Sequence, residues 1–290
     1  MGLGELASLR LMVKVIPKKP MRTSRGSTVF LANRVRGDGG GSQVIYAFFT
    51  MALAKRLGIP YFHRDFQRLE HHDGNESAAL EAWNRVFPFS SAFSPPPGTR
   101  TFSLGSRLHV LRGLLVRGAS IAITSARIRD LTDSAPQILE DARAELRRVY
   151  TPDSVRQRQN ADKCIAFHLR RGDVSASVNA ARYTSCEELE TDIVAVRRFY
   201  RGQMREVVVV TEPTADLSSL KIDDGFEVLD SLDPLIALHV LTQAGVIVTG
   251  KSSFSYLAAL ISEGQVVYRT FWHPPMKDWM ELPDIHRLVS

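Results

Sequence analysis

Three stretches of this 290-residue chain hold side chains at spacings that could do chemistry. The densest is His168-Leu169-Arg170-Arg171-Gly172-Asp173, directly after an apolar run that starts at Cys164. A guanidinium fork matches phosphate oxygens, and charge-assisted pairs are roughly twice as strong as neutral ones. Two adjacent arginines at a strand end therefore read as an anion site. The alternative is that one pairs with Asp173 and the other is solvated. Arg171-Gly172-Asp173 also spells an adhesion tripeptide, but a strand-end turn is not a protruding loop. The second stretch is Thr249-Gly250-Lys251-Ser252-Ser253-Phe254-Ser255. Gly250 permits a tight turn, and Ser252 and Ser253 open a helical pattern. Free N–H groups and the helix dipole at such a start attract an anion. An ordinary serine N-cap is the alternative. The third stretch is the loop from Gly37 to Gln43, where Gly39, Gly40 and Gly41 allow close approach to a ligand or simply a turn.

The elements that would position these residues follow from periodicity. In the first half the pattern predicts a strand over 28–32 and the glycine loop. It then predicts a helix over 42–57 closed by Gly58, and a strand over 59–63. Further on it predicts a helix over 77–86, a break at Pro95-Pro96-Pro97-Gly98 and a strand over 120–124. A helix over 135–149 follows, capped by Ser134 with Pro136 in its first turn. Residues 151–162 are polar and aperiodic and read as a linker. The second half alternates cleanly. Strands are predicted over 164–169, 206–210, 226–229, 246–249 and 266–268. Helices are predicted from 186 to 200 (with Ser185 and Glu188 as a capping box), over 233–243 and over 253–261. Four consecutive valines at 207–210 suit a strand buried on both faces. Repeated β-α units predict an α/β fold with a Rossmann-like parallel sheet. The organisation expected is a basic extension over 1–27, an α/β domain over 28–150, a linker over 151–162 and a second α/β domain over 163–290.

Composition narrows the function classes. Hydrophobic residues make up 44% and charged residues 23%, too apolar for a disordered chain. The net charge of +6 is concentrated at one end: residues 1–25 hold six basic side chains and one acid. The rest is close to neutral, which argues against a broad nucleic-acid-binding face. The basic start reads as a disordered extension or a targeting segment. No apolar run is long enough to cross a bilayer. Two cysteines, Cys164 and Cys186, exclude a disulfide framework or a Cys-rich zinc module.

Taken in order, the three stretches resemble the fucosyltransferase superfamily of alpha-1,2-, alpha-1,6- and protein O-fucosyltransferases. His168-Leu169-Arg170-Arg171-Gly172-Asp173 matches its His-x-Arg-Arg-x-Asp motif. Residues 207–212 resemble its second motif, and 233–260, centred on Ser252-Ser253-Phe254-Ser255, its third. Gly39-Gly40-Gly41-Ser42-Gln43 is similar to the glycine–Asn–Gln loop of the alpha-1,2 branch. The chain differs from that branch at Ser42 and Lys251, where the branch usually or often has Asn, and at Ala237, where it usually has an acid.

The resemblance implies a GT-B-like architecture, two Rossmann-like domains facing a cleft, with the nucleotide on the second. It implies inverting, metal-independent transfer of L-fucose from GDP-fucose to a glycan acceptor, with no cofactor and no nucleic-acid partner. In agreement, the sequence holds no Asp-x-Asp triplet. Carried onto this chain, Arg170 and Arg171 meet the diphosphate, Arg170 foremost, and His168 meets the guanine or ribose. Asp173 orients the arginines, Thr211, Glu212 and Asp233 line the nucleotide site, and Ser252, Ser253 and Phe254 cradle the β-phosphate. Gly40 and Gly41 lie on the sugar and acceptor side. Candidates for a general base are Asp38 and His63, with a base-free, oxocarbenium-like path as the alternative. A different nucleotide sugar, or a binding protein that keeps the fold without turnover, are the competing functions. Such enzymes work in bacterial cytoplasm or in the eukaryotic secretory lumen.

Overall fold

The computed structural model describes residues 30–34, 37–70, 74–89, 101–103, 120–122, 136–152, 160–203, 206–213, 215, 217, 220 and 226–290. The expected N-terminal extension, the first two residues of the 28–32 strand, the break at Pro95 to Gly98, the Ser134 cap and most of the 151–162 linker lie outside the described residues. The chain divides into two compact units, Met1–Thr151 and Pro152–Ser290.

The first unit contains strands β1 (Phe30–Ala32), β2 (Tyr61–Phe62), β3 (Thr101–Ser103) and β4 (Ser120–Ala122). Among the described residues its helices are α1 (Gly40–Leu57), α2 (Glu76–Val86) and α3 (Gln137–Val149). The strands pair in parallel in the order β2-β1-β4-β3. Helix α1 packs against β1 and α3 and buries Val44, Ile45, Phe48 and Phe49. It starts two residues earlier than the periodicity predicts. Gly39 takes the N-cap position in extended backbone, and Asp38 braces the helix start by accepting from the Gly39 amide and the Ser42 hydroxyl. Asn75 caps α2 by accepting from the Ser77 and Ala78 amides.

The second unit contains strands β5 (Cys164–His168), β6 (Glu206–Val210), β7 (Phe226–Leu229), β8 (Val246–Val248), β9 (Gln265–Tyr268) and β10 (Met280–Glu281). Its helices are α4 (Cys186–Phe199), α5 (Pro234–Gln243), α6 (Ser253–Ile261) and α7 (Leu282–Val289). All six strands pair in parallel, in the order β10-β9-β8-β5-β6-β7. Counted from β5 this is the Rossmann order 3-2-1-4-5-6. One face packs Ile165, Phe167, Val207, Val209 and Val248 against Leu189, Ile193 and Val196 of α4 and Leu282 and Ile285 of α7. The Ser185–Glu188 capping box that starts α4 is present in both directions. Strand β10 and helix α7 are not anticipated by the sequence pattern, because a two-residue strand has no period to detect. Among the described residues no helix is long and apolar enough to cross a membrane.

Candidate functional site

Strand order sets the location. The chain leaves β5 toward β6 and β7, then returns to the opposite side of β5 as β8. In open parallel sheets ligands bind in the crevice outside the carboxyl ends of the strands, where the order reverses. Here that point lies between the loop after His168 and the loop after Val248. The double-arginine stretch and the serine-rich stretch therefore share one edge of one sheet, on adjacent strands. Thr211 and Glu212 join them from the end of β6, where Leu169 N–H donates to the Val210 carbonyl at 2.9 Å.

The two arginines have different surroundings. Arg170 is bracketed by carboxylates: Nη1 donates to Glu212, and Nη2 donates to Asp173 Oδ1 at 2.5 Å. Its Nε is buried without a partner. Asp173 also receives Arg182 Nη1 at 3.4 Å. Arg171 is only 6% exposed. Its backbone N–H donates to the second oxygen of Glu212 at 2.6 Å, and its Nη1 donates to the Arg170 carbonyl at 3.0 Å. Its guanidinium lies over the Tyr183 ring, 4.7 Å from the centroid, and Nη2 is buried without a partner. No carboxylate side chain pairs with it among the described residues. Glu212 thus holds Arg170 by the side chain and Arg171 by the main chain, and the Arg171 guanidinium has no ion pair among the described residues.

Across the crevice, Gly250 permits contact that no other residue would. A β-carbon there would lie 2.5 Å from the His168 carbonyl oxygen and 2.9 Å from its Nδ1. The turn is locked by Ser255, whose buried hydroxyl accepts from the Gly250 amide at 3.1 Å and lies 3.1 Å from the Ser252 carbonyl. Ser252 is the N-cap of α6 and accepts from the Phe254 amide at 3.2 Å. Ser253 occupies the first helical position, with its hydroxyl 3.4 Å from His273 Nε2. Phe254 packs on the His168 ring at 5.4 Å. Burial, with the Arg170 charge nearby, pushes His168 down to about 3. It is therefore neutral at physiological pH, and its Nδ1 is buried without a partner.

The remaining expected residues sit elsewhere in the two units. Asp233 is the N-cap of α5 and accepts from the Leu235 amide at 2.9 Å, which accounts for its carboxylate locally. In the first unit, Asp38 accepts from the Gly39 amide and the Ser42 hydroxyl, each at 2.9 Å. Gln43 ties the same loop down through the Asp38 and Arg68 carbonyls at 2.9 and 2.7 Å. A β-carbon on Gly40 would fall 2.3 Å from the Trp83 ring, so packing alone demands a glycine there. Gly41 is buried in the first turn of α1. His63 Nδ1 lies 2.9 Å from the Tyr61 hydroxyl, and its ring packs on Phe66 and Phe89. Burial pushes it down to about 4, against a smaller upward pull from Asp65.

Sequence reasoning missed Tyr183 and Arg182 and gave Lys251 no role. The Lys251 ammonium donates to the Tyr183 carbonyl at 2.8 Å. Arg182 lies 5.4 Å from the centre of the Trp272 ring. No spacing rule links positions 183 and 251, which meet only through the strand order. Among the described residues, no group of three or more His, Cys, Asp and Glu side chains is placed to hold a metal ion.

No protein-family model and no curated protein matches the chain. Among solved structures it is similar to NodZ alpha-1,6-fucosyltransferase soaked with GDP-fucose, at 11% identity and a TM-score of 0.45, over 86% of this chain and 97% of that one. It is also similar to POFUT1 in complex with GDP, at 11% identity and a TM-score of 0.42, over 85% and 99% of the two chains. A third similar structure is the E. coli heptosyltransferase WaaC with ADP-2-deoxy-2-fluoro heptose, at 13% identity and a TM-score of 0.41, over 87% and 92%. The chain is thus an α/β protein with a remote likeness in path to solved fucosyltransferases and a heptosyltransferase.

Proposed function

We propose that this chain is a glycosyltransferase that moves L-fucose from GDP-fucose to a glycan acceptor, with inversion and without a metal ion. The observation that carries the reading is Arg171: a buried guanidinium with no carboxylate partner among the described residues, at the switch point of a Rossmann-ordered sheet. An uncompensated buried charge is expensive, and an anionic ligand removes the penalty. Donors stand ready for such a ligand: Arg170 Nε, Arg171 Nη2 and the Thr211 hydroxyl, each buried without a partner, and the N–H groups that open α6. The donor is specified by the resemblance of His168 to Asp173 and of Ser252 to Ser255 to the fucosyltransferase motifs.

In this reading the diphosphate develops negative charge as its bond to the sugar breaks. Fixed donors aimed at that charge do the work a cation does elsewhere, and losing one costs ~10²–10³ in rate. Arg171 supplies the uncompensated charge. Arg170, its fork taken by Glu212 and Asp173, presents its Nε edge. Neither base candidate is well suited to take the acceptor proton. The carboxylate of Asp38 is engaged within its loop, and an imidazole at about 4 is a weak base. We therefore favour the base-free, oxocarbenium-like path.

The test is a thermal-shift comparison of GDP with UDP, followed by donor hydrolysis over a panel of nucleotide sugars. Stabilisation by GDP over UDP with release of fucose from GDP-fucose is the expected result. Preference for another nucleotide moves the donor assignment. GDP binding with no turnover on any donor would replace the enzyme by a binding protein.

A further inference from the structure

Lys251 stands between Gly250 and Ser252, past the carboxyl end of β8 and two residues before α6. Its ammonium is fastened to the main chain of Tyr183, and the ring of the same Tyr183 carries the Arg171 guanidinium. Two cations from two loops are thus anchored on one residue, and neither has a carboxylate partner among the described residues. Two cations held by one residue repel each other, and an anion that meets both relieves that repulsion. The Arg171 Nη2, on a side chain more than nine-tenths buried, is left without a partner. An ammonium has three donors, and the Tyr183 carbonyl uses one of Lys251's.

Strands β5 and β8 are direct neighbours. Neighbouring strands lie about 4.8 Å apart, so loops leaving their ends can grip two linked phosphate groups at once. Arg170 and Arg171 reach from the β5 side. Lys251 and the first N–H groups of α6 reach from the β8 side. Ser252 is occupied as the cap, so the lysine is the charged group that the β8 loop has to offer. We propose that Lys251 is a third cationic ligand of the anion site, extending it from one phosphate group to two, so that the site selects diphosphates over monophosphates. This rests on the nucleotide-sugar reading above, and it adds to that reading the residue that meets the second phosphate group.

The test is calorimetric titration of the full chain, as wild type, Lys251→Met and Lys251→Arg, with inorganic pyrophosphate, inorganic phosphate, GDP and GMP. Melting curves of each unliganded variant are recorded alongside. A charge-assisted hydrogen bond predicts that Lys251→Met loses about 10-fold or more in affinity for pyrophosphate and GDP, but only about 2-fold for phosphate and GMP. Lys251→Arg recovers most of the loss. Equal losses on all four ligands together with a lower melting temperature would make Lys251 a strap on Tyr183 and overturn the proposal. Wild-type GDP binding that Lys251→Met leaves untouched overturns it too, while the nucleotide-sugar reading survives. Lysine-dependent pyrophosphate binding without any nucleotide binding supports the lysine and sinks that reading. No binding of any of the four ligands by wild type sinks both.

Discussion

The glycine loop of the first unit and the double-arginine loop of the second occupy equivalent places. Each leaves the carboxyl end of an interior parallel strand, β1 or β5. Their polar groups are handled in opposite ways. In the glycine loop, Asp38 accepts from its own helix start, Gln43 ties the loop to Arg68, and Gly40 makes room for Trp83. The buried atoms left without partners nearby, Gln43 Oε1 and His63 Nε2, belong to neutral side chains at physiological pH. In the double-arginine loop the partnerless buried atoms include nitrogens of two guanidiniums. An unmade buried hydrogen bond costs about 1–3 kcal/mol, and more when the group is charged. A fold keeps such a group where a ligand will complete it, so the second loop is marked for an anion and the first for structure.

The contrast is sharpest at the twin arginines. Arg171→Met should weaken GDP binding by at least ~10²-fold yet leave the unliganded protein no less stable, because an uncompensated buried charge is removed. Arg170→Met should weaken binding as well, but also destabilise the protein by roughly 2–3 kcal/mol, since Glu212 and Asp173 lose their shared cation. Calorimetry with urea unfolding reads both quantities, and matching stability losses in the two variants would erase the distinction. Arg170→Lys should rescue little transfer, since a point charge cannot span two carboxylates and a phosphate.

The buried histidines give a pH test in each unit. Both native imidazoles are held below the usual value near 6.5, so the unfolded chain binds more protons as pH falls. Their contribution to stability is complete above about pH 6.5. It declines below that, toward about 4 for His63 and about 3 for His168. The slope is at most about 1.4 kcal/mol per pH unit for each histidine. His168→Gln should flatten the fall measured by urea unfolding between pH 7 and 5, and an unchanged slope would mean that His168 takes up its proton over the same pH range folded and unfolded.

Smaller effects are expected in the glycine loop. Gly40→Ala should cost about 1–3 kcal/mol through its clash with Trp83 while GDP affinity stays constant. Asp38→Asn should cost about 1 kcal/mol, the value of a helix-start contact, and change the rate of transfer by less than about 3-fold. A rate loss near 100-fold in Asp38→Asn, read by donor-to-acceptor transfer, would restore Asp38 as the base and close the gap between the two loops.

Much of this was legible in the chain itself. Valines 207–210, the Ser185–Glu188 box and the serine-capped start of α6 are local features. Period and cap chemistry act over a few residues, so they can be read without knowing the fold. The same locality explains why His168 to Asp173 stood out. What only the tertiary structure decided is which charges meet. That Glu212 takes the fork of Arg170, that Tyr183 joins Arg171 to Lys251, and that Gly40 answers to Trp83 all depend on residues tens of positions apart. Strand order and packing bring them together, and a charge's role follows from its neighbours in space, because Coulomb and desolvation energies depend on distance and burial and not on separation along the chain.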